Sequence, residues 1–432
     1  MIESSPDIYN LYSKITPGGN NSNIRYDKNF VKYYKYAKGS YIWSVENEKF
    51  LDCISGYGSI ILGHSPDYVN NAVYNAIQNG ITNGYETENS YVLADKLSNI
   101  IPSAEMVRLS NTGTEAVMHA IMIARAYTKR NKILKFDGAY HGWYDFTAFN
   151  YRPNYLSKGD NIFLDSTGID DTVLSRALNA PYNDFDATEN IIKEYKSDIS
   201  CVIIEPIMFN SGAVLPDLEF LKGLREITEL YDIPLIFDEV ITGFRVSPGG
   251  AQEKFNIIPD ISVFGKALGN GYPISAVVGK SEYITLTSPT EHLGYAGTFN
   301  GNQISVAAAI EVLKKLETGD VQNKLNKYTN ELASFVNTIS NEYSIPVKLY
   351  GMGGQFQVYF SMKEVTNYKS ASESDESLYG KFREYLIRNG ILFHNSKLFH
   401  HGITNSFDTF EINHLKKMIE KAILYVKFGR DI

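Results

Sequence analysis

An α/β fold, with a central, mostly parallel sheet flanked by helices, is what this sequence predicts, and three features predict it. Apolar runs of strand length recur after residue 100; several are apolar on both faces and rich in β-branched residues; and amphipathic helical segments lie between them. The runs are Lys132–Phe136, Cys201–Ile207, Pro234–Val240 and Ile261–Phe264. Between the second and third, Asp217–Tyr231 places Leu218, Leu221, Leu224 and Ile227 on one helical stripe, which makes a strand–helix–strand unit.

The remaining elements follow in chain order. Tyr41–Val45 and Phe50–Ile54 flank the turn-like Glu46–Lys49, and a glycine-rich stretch follows, so residues 1–58 read as an N-terminal arm and small subdomain. A large α/β domain is expected over 59–318. It includes the short run Met106–Leu109, the segment SNTGTEA (110–116) and a helix after Thr114. Beyond Gly319 helical patterns resume, Gly351–Phe360 reads as one strand entered through glycines, and Ser370–Ser377 reads as a polar loop; 319–432 forms a C-terminal α+β subdomain.

Composition narrows the function. A chain of 432 residues, 44% hydrophobic and 21% charged, can bury a sizeable core. Its 41 Lys+Arg against 49 Asp+Glu give a net charge of −8, which argues against a nucleic-acid partner. No apolar run reaches the roughly 18 residues of a membrane span, and the first ten residues are acidic and polar where a signal peptide is basic then apolar, so a cytoplasmic protein is expected. Cys53 and Cys201 lie in separate apolar stretches and read as buried free thiols. The eight histidines are scattered apart from His400 and His401, and no metal site is expected.

Three motifs carry the chemistry. PLIFDEV ends in Asp238 and Glu239, carboxylates at the C-terminal edge of a strand, where open α/β sheets bind ligands. An isolated Asp-Glu pair would ordinarily only solvate the strand end. Ile261–Phe264 runs into Gly265, Lys266 and a glycine-flanked turn; an amine in an apolar site loses proton affinity and becomes a Schiff-base nucleophile, whereas a lysine after a strand is ordinarily a surface charge. SNTGTEA opens a helix with a glycine and hydroxyls, which is a phosphate site if a ligand is present and a plain N-cap if not. Together, a phosphate anchor, a strand-end Asp and a post-strand Lys suit pyridoxal 5′-phosphate (PLP).

The ordered segments PGGNNSNIR (17–25), ILGHS (61–65), NTGTEA (111–116), KILKFDGAYHG (132–142), APYND (180–184), IIEPIMFNSG (203–212), LIFDEVITGFR (235–245), PDISVFGKALGNGYPISAVVG (259–279) and AGTFNGN (296–302) resemble the class III, fold-type I PLP-dependent aminotransferases. Within that family they are most similar to the glutamate-1-semialdehyde 2,1-aminomutases. The resemblance implies that Lys266 forms the Schiff base with PLP and moves protons, that Asp238 pairs with the pyridine nitrogen, and that Gly113 and Thr114 hold the phosphate. It places Tyr140 and Val240 on the two faces of the ring, His141 beside Tyr140, and Glu205 and Asn210 on the O3′ side. Thr298 matches a residue that reaches the phosphate from a second subunit, which implies a homodimer with shared active sites. Arg25 matches an arginine that pairs with a substrate carboxylate, with Ser22 beside it.

Three departures from the aminomutase pattern bear on substrate. Tyr57 stands where those enzymes have tryptophan; Asn20 and Asn23 replace Val and Pro; and the glutamate of their C-terminal Ser-x-Phe-Glu-Ala-Gly segment has no match in SKLFHHG (396–402). The expected activity is therefore ping-pong transfer of an amino group from a small-molecule donor to an aldehyde or ketone acceptor. The runner-up is the intramolecular 2,1-aminomutase, followed by an epimerase and by a non-catalytic PLP-fold binding protein. A nicotinamide dehydrogenase is disfavoured because no G-x-G-x-x-G follows a strand with an acid about twenty residues on.

Overall fold

The computed structural model describes residues 4–81, 84–153 and 162–430. At its centre is a seven-stranded sheet in the order Met106–Ser110, Ser275–Gly279, Ile261–Phe264, Leu235–Glu239, Ile199–Ile204, Lys132–Phe136, Ala177–Ala180. Ser275–Gly279 runs antiparallel to both neighbours and the other pairs are parallel, as the doubly apolar runs predict. Alternation along the strands explains that pattern. Cys201, Ile203, Ile236 and Val263 pack on the helix Gly113–Thr128, while Val202, Ile204, Leu235 and Phe237 pack on Leu218–Leu230 from the other side. Helices cover both faces, so both faces are apolar. The strand expected to end at Ile207 stops at Ile204, ahead of Glu205 and of Pro206, which has no N–H to give a ladder.

Two smaller sheets complete the fold. Tyr34–Lys38, Tyr41–Ser44 and Lys49–Asp52 pair antiparallel, and Ile391–Leu392 joins them parallel to Lys49–Asp52, so segments near both chain ends share one sheet. The third contains Val347–Met352, Gln355–Phe360 and His401–Gly402. Here the single strand expected over Gly351–Phe360 is corrected: Gly353 and Gly354, at φ +63° and +81°, turn the chain between two antiparallel strands. The polar loop expected over 370–377 is corrected as well. It is the end of the helix Tyr368–Ser372 and the start of Glu376–Arg388, with Asn367 ahead of it and Asp375 within it acting as N-caps. Among the described residues, no helix is long and apolar enough to cross a membrane. Both cysteines are buried and free.

The two strand-end acids divide their work. Glu239 is fully buried and accepts from the amides of Ala251 and Gln252 at 2.7 and 2.9 Å and from Thr242 Oγ1 at 2.6 Å, so it caps the helix Gly250–Phe255. Its neighbour Asp238 is free for the cavity described below. Glu239→Ala orphans these three buried donors, each costing about 1–3 kcal/mol; the unfolding free energy in denaturant titrations is expected to fall by at least about 3 kcal/mol.

Candidate active site

A cavity of about 310 Å³ opens at the C-terminal edge of the central sheet. Successive strands deliver its walls: Met106–Ser110 leads into Asn111–Thr114, Lys132–Phe136 into Tyr140 and His141, Ile199–Ile204 into Glu205 and Asn210, Leu235–Glu239 supplies Asp238 and leads to Val240, and Ile261–Phe264 leads to Lys266. Residues from five strand ends thus meet at one edge, the general ligand position in open α/β sheets.

The helix Gly113–Thr128 begins here with a capping box. Glu115 accepts from the amides of Asn111 and Thr112 at 2.7 and 3.1 Å, and Thr112 Oγ1 accepts from the amide of Glu115 at 3.2 Å. The cap consumes those donors and leaves the amides of Gly113 and Thr114 as the helix-start pair for an anion. Close packing keeps the space open. A Cβ on Gly113 would lie 3.2 Å from Val240, and one on Gly142, at φ +83°, would lie 2.5 Å from Thr114 Oγ1 and 2.8 Å from its backbone.

On the opposite side Lys266 starts a 3₁₀ turn with φ +43°, a left-handed conformation that is costly for a side chain bearing a Cβ. The turn is tied down by Asn270, whose Oδ1 accepts from the amides of Ile61 and Leu62, both at 2.9 Å. Burial pulls the Lys266 ammonium down to about 8, partly opposed by the charges of Glu205 and Asp238. Asp238 Oδ2 lies 2.7 Å from His141 Nδ1, and its Oδ1 accepts from the amide of Val240 at 3.1 Å. A carboxylate only accepts, so Nδ1 carries the proton. Burial lowers the imidazole's proton affinity although Asp238 raises it, and Nε2 is buried without a partner. Glu205 accepts from the amides of Tyr140 and Asn210 at 2.9 and 3.3 Å, while burial and then the Asp238 charge push its carboxyl up to about 7.

Gly113, Thr114, Tyr140, His141, Glu205, Asn210, Asp238, Val240 and Lys266 all line this one cavity. Arg25 and Tyr57 do not; they line a neighbouring cavity, and Ser22 lines a shallow outer groove with Asn20 and Asn21. Thr298 is exposed and outside the cavity, two residues from Asn300, whose Oδ1 accepts from Asn111 Nδ2 at 2.9 Å. Sequence reasoning missed Ser59 and Tyr272 on the walls and two buried groups behind Lys266. Arg245 is fully buried, pulled down to about 9 by burial, and donates to the carbonyls of Gly58 and Gly353 at 2.8 and 3.3 Å. His400 Nδ1 donates to the Phe209 carbonyl at 3.0 Å, and burial, then the Lys266 charge, hold the ring down to about 3. Arg245 closes the LIFDEVITGFR segment, and an arginine ending an apolar run was the available signal.

The layered sheet with its strand-edge lysine, acid and helix-start anion site defines a fold-type I PLP protein. The profile described as Aminotransferase class-III matches residues 23–396. A glutamate-1-semialdehyde 2,1-aminomutase of Methanococcus maripaludis is 40% identical over 390 residues, 90% of each chain. An omega-transaminase from Sphaerobacter thermophilus superposes with a TM-score of 0.93 at 30% identity, covering 99% of this chain and 98% of its own, and a transaminase solved with PLP bound gives 0.89 at 27%, covering 98% and 97%. This chain belongs to the class III aminotransferase family, and its cofactor is pyridoxal phosphate. The cavity suits that group: unsatisfied amides at a helix start for the phosphate, Val240 as an apolar wall for the ring, a strand-end acid and a buried amine.

An amine held near 8 sets a pH dependence. Below that value Lys266 is an ammonium with no lone pair, so capture of PLP by the apoenzyme is expected to accelerate about tenfold per pH unit and to level off above about 8. Borohydride-trapped cofactor sampled at early times measures it, and a profile flat below that pH would contradict the desolvated site.

Proposed function

We propose that Lys266 is the group that joins PLP and afterwards holds and moves a proton at Nζ, with Asp238 holding a proton at the pyridine nitrogen. The observation that carries this reading is the desolvated Lys266 sharing one cavity with the Asp238–His141 pair and the Gly113–Thr114 helix start. Bound PLP supplies a carbonyl that condenses with amines and a ring that accepts the electron pair left when a Cα–H bond breaks. The protein supplies placement. Gly113 and Thr114 bind the phosphate, Tyr140 and Val240 confine the ring, and Glu205 with Asn210 face its oxygen side. His141, donating through Nδ1, fixes the orientation of Asp238. Lys266 Nζ, near 8, both takes and returns a proton at neutral pH.

Borohydride treatment of the holoenzyme is expected to fix the cofactor on Lys266 in peptide maps; label on another residue would remove the assignment. Asp238→Asn should retain PLP yet slow turnover by about 10²-fold or more, since a preorganised charge at the electron sink is lost.

For substrate, we infer transfer from an external donor to a separate carbonyl acceptor. His400 supports this, because the C-terminal segment behind Lys266 presents an imidazole that burial keeps uncharged, and Glu205 and Asp238 are the acids lining the cavity among the described residues. The intramolecular 2,1-aminomutase is the second reading, favoured by relatives of that name at about 40% identity. A homodimer is inferred as well. Phe299, Tyr85 and Tyr91 are 60%, 89% and 70% exposed, and Gln303 ties their segments together by accepting from Thr87 Oγ1 at 2.9 Å and donating its amide to the Ile81 carbonyl at 3.2 Å. Such a patch supports a second copy that would bring Thr298 to the facing site.

Incubation with one substrate at a time separates the two readings. Half-reaction that halts with the cofactor as pyridoxamine phosphate until a carbonyl acceptor is added is the expected result. Efficient conversion of glutamate-1-semialdehyde to 5-aminolevulinate with no added donor would establish the aminomutase instead.

A further inference from the structure

Lys266 is left-handed at φ +43°, and the 3₁₀ turn that it opens closes on Asn270, also left-handed at φ +45°. Two bonds inside the turn support it: the amide of Leu268 donates to the Gly265 carbonyl at 2.9 Å, and that of Asn270 to the Ala267 carbonyl at 3.2 Å. That is little to set against a conformation that residues bearing a Cβ avoid. A turn free to relax would return Lys266 to negative φ and re-aim its side chain, so the conformation persists only because the surroundings over-determine it.

The surroundings act through one side chain. Asn270 is 5% exposed, and its amide group makes three bonds to one continuous segment: Oδ1 accepts from the amides of Ile61 and Leu62, and Nδ2 donates to the Gly63 carbonyl at 3.1 Å. Backbone amides only donate and carbonyls only accept, so the orientation of the side chain is unique. Asp would lack the donor, and Leu would lack donor and acceptor alike. The segment is itself held from its far side. Asn405 donates its amide to the Ile61 carbonyl at 2.7 Å, Ser406 Oγ donates to the Leu62 carbonyl at 2.9 Å, and His64 and Gly39 exchange backbone bonds at 2.8 and 2.9 Å. Residues 61–64 are thus fixed by segments from both ends of the chain, and Asn270 carries that fixation to the turn of Lys266.

We propose that Asn270 is a positioning residue for Lys266, bracing the strained turn against Ile61–Gly63 so that segments near the two chain ends set where the amine points. The inference rests on Lys266 being the reacting amine. Condensation needs Nζ close to and aligned with the carbonyl of PLP, and a displacement of about 1 Å can slow such a step about 10²-fold. Holding the phosphate is a separate task, because Gly113 and Thr114 follow a different strand, Met106–Ser110. Loss of the brace should therefore separate cofactor capture from cofactor binding.

Asn270→Gly keeps the left-handed backbone accessible and removes only the side-chain bonds. Native and variant apoenzymes are compared in two measurements: calorimetric affinity for 4′-deoxypyridoxine 5′-phosphate, which has the ring and phosphate but no aldehyde, and the rate of PLP capture from borohydride-trapped samples. Unchanged affinity with capture slowed about ten- to a hundredfold is the expected result. Capture at the native rate overturns the proposal, and so does an equal loss in both measurements, which would mark a loosened site and not a misplaced lysine. If Asn270→Gly does not fold, Ser406→Ala removes the brace at its far end and is read in the same way, with capture expected to slow at least about twofold; a native rate there overturns the proposal too. Peptide mapping of the native enzyme separates the failures: label on Lys266 with capture unaffected by the variants removes this inference alone, and label elsewhere removes the proposed function and this inference with it.

Discussion

Desolvation of Lys266 is the constraint to which the surrounding groups answer. An ammonium placed in a protein cavity loses its hydration, and the loss is offset only by fixed charges and dipoles close by. Asp238 and Glu205 favour the protonated amine and Arg245 opposes it, leaving Nζ near 8, where it exchanges its proton at physiological pH. The acids are themselves held in check. Two carboxyls in one cavity repel each other, and the rise of Glu205 to about 7 follows from its burial and from the neighbouring Asp238. Asp238 keeps a specific donor on each oxygen, His141 on one and the Val240 amide on the other. The buried amine is thereby balanced without a direct salt bridge among the described residues.

The fold makes that balance possible because each participant ends a different strand of one rigid sheet. Parallel strands buried on both faces cannot shift by one residue without turning Val202 and Ile203 onto the wrong helices. Register therefore fixes where Asp238, Glu205 and Lys266 stand relative to one another. The division of labour between Asp238 and Glu239 has the same origin: adjacent residues point to opposite faces, so one reaches the cavity and the other caps the helix Gly250–Phe255.

The central sheet was legible because its strands carry uninterrupted apolar runs, and the sharing of one cavity by Lys266, Asp238 and the NTGT of NTGTEA was legible because each sits at a strand end. What escaped was set by tertiary contacts. A glycine pair inside GMGGQFQVYF looks alike at the entrance of a strand and in a hairpin, and only pairing of Val347–Met352 with Gln355–Phe360 distinguishes them. SASESDES looks like a loop because Ser and Asp favour both loops and caps. The placement of Arg25 and Tyr57 beside a separate cavity depends on the N-terminal segment folding over Leu392–Asn395, contacts more than 300 residues apart in sequence that no local pattern encodes.

The same long-range segment decides the electrical character of the site's back wall. His394, His400 and His401 are all buried, and in each the proton affinity is lowered first by burial and then by a neighbouring positive or titrating group. Tyr379 holds the arrangement in place, donating to the His394 carbonyl at 2.7 Å and lying 3.0 Å from His401 Nε2. Burial and mutual repulsion keep these three imidazoles neutral, and the positive charge on that side is carried by the buried Arg245, held near 9. The C-terminal segment thus contributes neutral rings, and the titrating charges felt by Lys266 come from the strand ends and from Arg245.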